Sequence, residues 1–200
     1  MITNIAAKIA DWLIKGGSIE KDEKDLYQYG LFFFLTALVF LLSATILGAI
    51  FGVLLGSFIF FMSFFVIRQF AGGYHAKTET RCQFLSLISI SLSIFILGML
   101  KGTTPIPLLI ISNAFAIVIF LLSPVDTAER ELSAEEIKVF RKISQIVISL
   151  LICSTNLAFF WIKPICSALC IAICLEGILL SSAFLKKAVL KCKKQPVSQK

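Results

Sequence analysis

Charged residues are absent from Gly30 to Ile67 and again from Gln83 to Leu100; between these apolar stretches lies "RQFAGGYHAKTETRC", Arg68 to Cys82. A helix that crosses a bilayer takes about 20 largely apolar residues. The first stretch is too long for one such helix and predicts two, joined by a tight turn near Gly48. Further spans are expected at Gln83–Leu100, Pro105–Leu122, Ile143–Ile162 and Pro164–Leu185. The pattern predicts an all-α integral membrane protein of about six transmembrane helices with both termini on one side. Ahead of the spans, Ile2, Ile5, Ala6, Ile9, Trp12 and Leu13 recur at helical spacing opposite Lys8, Asp11 and Lys15, which predicts an amphipathic helix lying flat on the inner leaflet. Those same charges leave no uninterrupted apolar core, so no cleaved signal peptide is expected. The organisation expected is a single membrane domain over 1–200, with the in-plane segment at 1–25, the bundle at 26–185 and a basic cytoplasmic tail at 186–200.

Composition supports the membrane reading. The 200 residues are 58% hydrophobic and 16% charged, where a soluble domain carries about a quarter charged. The net charge of +7 would point to nucleic acid in a soluble protein. Here it follows from topology: of the 19 Lys and Arg, all but Lys101 and Lys163 fall on one side of a six-span arrangement. The positive-inside rule places that side in the cytoplasm, along with both termini and the Arg68–Cys82 loop. A disulfide framework is excluded, because Cys82 and Cys192 then lie in a reducing compartment and the other four cysteines lie in apolar runs.

Three sequence features read as structural. Gly48, Gly52 and Gly56 recur at spacings of four, which allows close helix approach and is compatible with a homodimer. "SAEE", Ser133 to Glu136, fits a capping box that starts a helix running into the fifth span. Cys166, Cys170 and Cys174 form a stripe that reads as small-residue packing in preference to a soft-metal site. Glu176 is the exception in its span: a carboxylate inside an apolar span usually faces the bundle interior and has a partner, whereas in a tilted or shifted span it sits toward the interface, and the sequence does not choose between the two.

The polar loop carries the candidate chemistry. Cys82 lies near Lys77 and Arg81, and positive charge favours the reactive thiolate; the alternative is a small interfacial residue that packs. His75, the only histidine, is suited to take a proton from a thiol and return it to a leaving amine. Seven residues on a regular helix rise about 10.5 Å, too far for a hydrogen bond. A non-helical "AGGYHA" that folds His75 back toward Cys82 is therefore expected, and Gly72 and Gly73 permit it. Backbone N–H groups in such a turn can stabilise an oxyanion. Arg68 can do the same, bind a substrate carboxylate, or simply mark the inner end of the second span. Gln69, Glu79 and Asp126 are candidates for orienting His75, and the sequence does not choose among them. One histidine and one cysteine leave a zinc site short of ligands, so neither metal nor cofactor is expected.

The six positions R-x-x-x-G-G-x-H-A-x-x-x-x-x-C, here Arg68, Gly72, Gly73, His75, Ala76 and Cys82, resemble the accessory gene regulator B (AgrB) family of bacterial membrane cysteine endopeptidases. Chain length, expected spans and "SPVDTAERELSAEE" after the fourth span are consistent with that family. The resemblance implies that Cys82 is the nucleophile and His75 the general base, with Arg68, Gly72 and Gly73 shaping or supporting the site. It implies a short AgrD-like propeptide of quorum sensing as substrate, cut near its C-terminus and closed into a thiolactone or lactone ring. Arg141, Lys142, Lys186 and Lys187 would attract an acidic propeptide tail. A non-catalytic peptide exporter or membrane scaffold is the main alternative; it predicts polar residues near the bilayer midplane and internal repeats, whereas the spans hold only Asn113, Asn156 and Glu176 of that kind and the halves show no repeat. Acylation of Cys82 is a second alternative, and it does not need His75 or the glycine pair.

Overall fold

The computed structural model describes residues 2–72, 79–101, 106–125 and 133–193. Its helices are α1 (Ile2–Lys15), α2 (Lys24–Ile50), α3 (Leu54–Ala71), α4 (Glu79–Met99), α5 (Ile106–Leu122), α6 (Ala134–Trp161) and α7 (Lys163–Lys193), with one 3-10 turn at Lys21–Glu23. The all-α membrane architecture expected from the sequence is thus present. Five helical segments are long and apolar enough to cross a membrane, and the fourth expected span, Pro105–Leu122, appears as the shorter helix Ile106–Leu122. At 17 residues it reaches about 25 Å, at the lower limit for spanning.

The chain forms two compact units, Met1–Ser43 and Ala44–Lys200. In the first, α1 buries Ala6 and Ala10 and exposes Trp12, and Lys24 pairs with Asp11 at 2.6 Å.

The second unit contains the bundle. Its first turn lies beyond Gly48, at Phe51–Val53. Gly52 takes φ +65°, its N–H donates to Ala49 O at 3.1 Å, and the Val53 N–H donates to Gly48 O at 2.7 Å. This is a Schellman ending, which requires a residue at positive φ after the helix. The three glycines consequently do not line one helix face: Gly48 lies in the last turn of α2, Gly52 makes the turn and Gly56 lies in α3. A Cβ on Gly48 would come within 1.9 Å of Ser57 Oγ, so this glycine permits close approach within one chain.

Prolines mark two helix starts, since a residue without an N–H costs nothing in the first turn. Pro107 is the second residue of α5 and Pro164 the second of α7. Only Ile162 separates α6 from α7: its N–H donates to Ala158 O at 2.8 Å and its carbonyl accepts from Cys166 N at 3.1 Å. The expected capping box at Ser133 is present, with Glu136 N–H donating to Ser133 Oγ and Ser133 N–H donating to Glu136 Oε2. It opens one continuous 28-residue helix.

α7 is the central helix of the second unit, packed against α3, α4, α5 and α6. From Cys166 to Cys174 every residue is buried. Ala168, Ala172 and the three cysteines keep its girth small enough for neighbours on all sides. Ser112 Oγ of α5 donates to Cys170 Sγ at 3.3 Å. The core around α7 includes Ile67, Ala71, Ile119, Ile148, Ile173 and Leu180. Outward positions such as Met62, Ile88, Ile117 and Leu150 are large, apolar and exposed, as suits contact with lipid tails. Asn113 of α5 and Asn156 of α6 share a 3.4 Å hydrogen bond, and each bonds its own helix four residues back. α7 extends to Lys193, so the expected basic tail begins as helix.

Candidate functional site

Several helix ends meet at one end of the second unit. Phe70 near the end of α3 and Phe140 near the start of α6 lie 6.2 Å apart by ring centroids. Ser123, just past α5, donates to Ser144 of α6, and both are buried. At the opposite end, the side chain of Leu97, late in α4, lies against Gly56, early in α3, so α4 begins where α3 finishes. Cys82, in the first turn of α4, belongs to the same end as Arg68 and Gly72, and it is half-buried with a free thiol.

Arg68 sits in the last turn of α3, where a cation complements the exposed carbonyls. Its Nη1 donates to Gly72 O at 3.0 Å and lies 3.7 Å from Glu176 Oε1 on α7. Glu176 is fully buried, and neither of its oxygens accepts a hydrogen bond from the described residues. An unpaired charge in an apolar interior is costly, so the guanidinium is what makes this carboxylate tolerable. The sequence left open whether Glu176 faces the interior or the interface; the structure buries it beside Arg68.

Gly72 closes α3 with φ 77° and ψ −153°, a region essentially confined to glycine. A Cβ there would meet Val125 O at 2.5 Å. The reason is a short parallel bridge between Gly72 and Val125, in which the Val125 N–H donates to Ala71 O at 3.1 Å. Arg68–Ala71 and Glu79–Cys82 are helical where the sequence predicted a loop over 68–82, and the base of the shorter α3–α4 connection is joined to the segment that follows α5. Sequence spacing could not have shown this link, because it joins residues far apart in the chain.

The remaining site candidates are placed as follows. Gln69 is exposed. Gly73, His75 and Asp126 and the side chain of Glu79 lie outside the described residues, as does the expected fold-back of "AGGYHA". Arg141 and Lys142 are exposed near the start of α6, Lys186 is half-buried and Lys187 exposed on α7. Ten residues separate Glu176 from Lys186 on α7, about 15 Å along the axis, so these lysines extend beyond the level of the Arg68–Glu176 pair.

A bundle of membrane-crossing helices with a cysteine, an arginine and a constrained glycine gathered at one end defines an integral membrane protein with a polar site at the bundle's edge. The accessory gene regulator B family matches residues 6–180, and the chain belongs to that family. It is 26% identical over 144 residues to an AgrB-like protein of Clostridium perfringens strain 13, covering 69% of this chain and 67% of that protein. It is 27% identical over 180 residues to protein FsrB of Enterococcus faecalis strain OG1RF, covering 86% of this chain and 72% of that protein. No solved structure matches it significantly. Membership supports a role in quorum-sensing autoinducer processing.

Proposed function

We propose that this protein is a membrane-embedded cysteine endopeptidase that cuts off the C-terminal part of a short AgrD-like propeptide. The observation that carries the reading is the family match across 6–180, which contains the whole Arg68–Cys82 motif. In this mechanism the Cys82 sulfur attacks a peptide carbonyl and forms the C–S bond of an acyl-enzyme. The C–N bond breaks, and His75 delivers the thiol's proton to the departing amine. A cysteine or serine within the retained peptide then attacks the thioester, closing a thiolactone or lactone and releasing Cys82. Exchanging one thioester for another costs little, whereas making a thioester from an amide is uphill, so ring closure has to outrun hydrolysis. A nucleophile at the membrane boundary, half-buried in the first turn of α4, favours that outcome by limiting water.

Arg68, Gly72 and Gly73 support the loop in this reading, and Arg141, Lys142, Lys186 and Lys187 draw in an acidic tail. Both termini and the reactive loop face the cytoplasm, in keeping with the distribution of Lys and Arg. The lipid bilayer is the protein's environment, and a homodimer is compatible with the large apolar outer surface. Nucleic acid has no role.

The test is mass spectrometry of a short propeptide co-produced with the intact protein, with Cys82→Ala or with His75→Ala. Loss of the propeptide's C-terminal segment with the intact protein alone supports the proposal, and the residual mass distinguishes a ring from an open chain. Equal cleavage by all forms removes Cys82 as nucleophile. A peptide that is bound but never cut favours the exporter.

A further inference from the structure

We infer that Glu176 is a positioning residue for the peptidase reaction, acting through Arg68 to fix the carbonyl of Gly72 and hence the origin of the reactive loop. The inference rests on the proposed function and adds to it a residue outside the motif. Glu176 is the only carboxylate in the apolar run of α7, and the other apolar runs contain none. It is fully buried, and its described charge partner is the Arg68 guanidinium at 3.7 Å. The same Nη1 that faces Glu176 donates to Gly72 O at 3.0 Å. Gly72 is held on its other side by the bridge to Val125, in a conformation that glycine alone adopts readily. Two anchors thus fix the residue at which the chain leaves α3 for the loop containing His75.

The central position of α7 makes this anchoring effective. α7 is buried on all sides from Cys166 to Cys174 and touches both α3, where the loop begins, and α4, where Cys82 sits. A carboxylate fixed on that helix refers the loop's origin and the nucleophile's helix to one rigid element. Catalysis by positioned groups is intolerant of displacement, with a shift of about 1 Å costing as much as a hundredfold. A purely structural ion pair in an apolar interior is replaceable by apolar side chains at little cost in stability. Placing this pair four residues from Gly72, with the arginine shared between them, ties it to the loop.

The experiment uses full-length protein in lipid vesicles with a short propeptide, comparing Glu176→Gln, Arg68→Gln and the double variant. Glu176→Gln is expected to lower kcat by about tenfold to a hundredfold, with KM within about twofold and the folded fraction unchanged. Because Glu176 acts through Arg68, the double variant should be no slower than Arg68→Gln alone. Independent, multiplying losses overturn the inference, as does an unaltered kcat in Glu176→Gln. If Glu176→Gln fails to fold, Glu176→Asp keeps the charge while withdrawing it from Arg68, and a kcat equal to the parent's counts against the inference.

A second readout needs no peptidase activity: the rate at which iodoacetamide alkylates Cys82, followed by peptide mass spectrometry. A displaced loop should change that rate by at least about threefold. If the parent protein cleaves nothing but Glu176→Gln alters alkylation, the peptidase reading fails and the positioning role stands. If cleavage depends on Cys82 while kcat and alkylation ignore Glu176, the positioning role fails and the peptidase stands.

Discussion

Gly72 and Gly52 both have positive φ, yet they do different work, and substitution separates them. Gly52 faces only the flexible end of Lys101, so Gly52→Ala should cost about 1–2 kcal/mol of stability for the left-handed backbone and leave kcat within twofold. Gly72 adds a clash with a backbone oxygen of Val125 at 2.5 Å. Gly72→Ala should therefore lose about 1–3 kcal/mol to strain and also displace the loop, so kcat falls along with thermal stability. Thermal unfolding in detergent and propeptide kinetics on both variants check the contrast. A fall in kcat for Gly52→Ala as large as that for Gly72→Ala would show that activity follows stability alone.

Helix ends and helix contacts decide matters at the next scale. Ser133 caps α6 and exchanges hydrogen bonds with Glu136. Ser133→Ala should lower stability by about 0.5–2 kcal/mol with KM for the propeptide unchanged, measured as a drop in Tm beside a kinetic assay. The α2–α3 hairpin depends on Gly48, whose Cβ would lie 1.9 Å from Ser57 Oγ and 2.7 Å from Ser57 Cβ. Gly48→Ala should lower Tm, and adding Ser57→Gly should recover part of the loss. If the second change makes matters worse, the contact is not the one that limits approach of the two helices.

For the molecule as a whole, charge distribution and bundle architecture lead to one expectation about sidedness. With α3 ending and α4 beginning at the same end, the proposed topology turns the connection between them toward the side rich in Lys and Arg. Cys82 should react with a membrane-impermeant maleimide in inside-out vesicles and be protected in right-side-out ones. The reverse pattern would invert the proposed topology and separate the active loop from a propeptide made in the cytoplasm.

The helical membrane class, the approximate spans, the capping box at Ser133 and the motif with Arg68, Gly72 and Cys82 were all legible in the amino-acid order. These are legible because they are local: an apolar run, a four-residue cap and a fifteen-residue motif each sit within one short window. The glycine spacing was legible as a sign of close helix approach, which Gly48 provides against Ser57, but the Gly52 turn divides the three glycines between two helices and a turn, which spacing alone does not show. The pairing of Arg68 with Glu176 and the contact of Gly72 with Val125 emerge from the folded chain alone. Burial in an apolar interior demands that a carboxylate find a cation, but which cation it finds depends on helix packing, and spacing along the chain does not encode that directly.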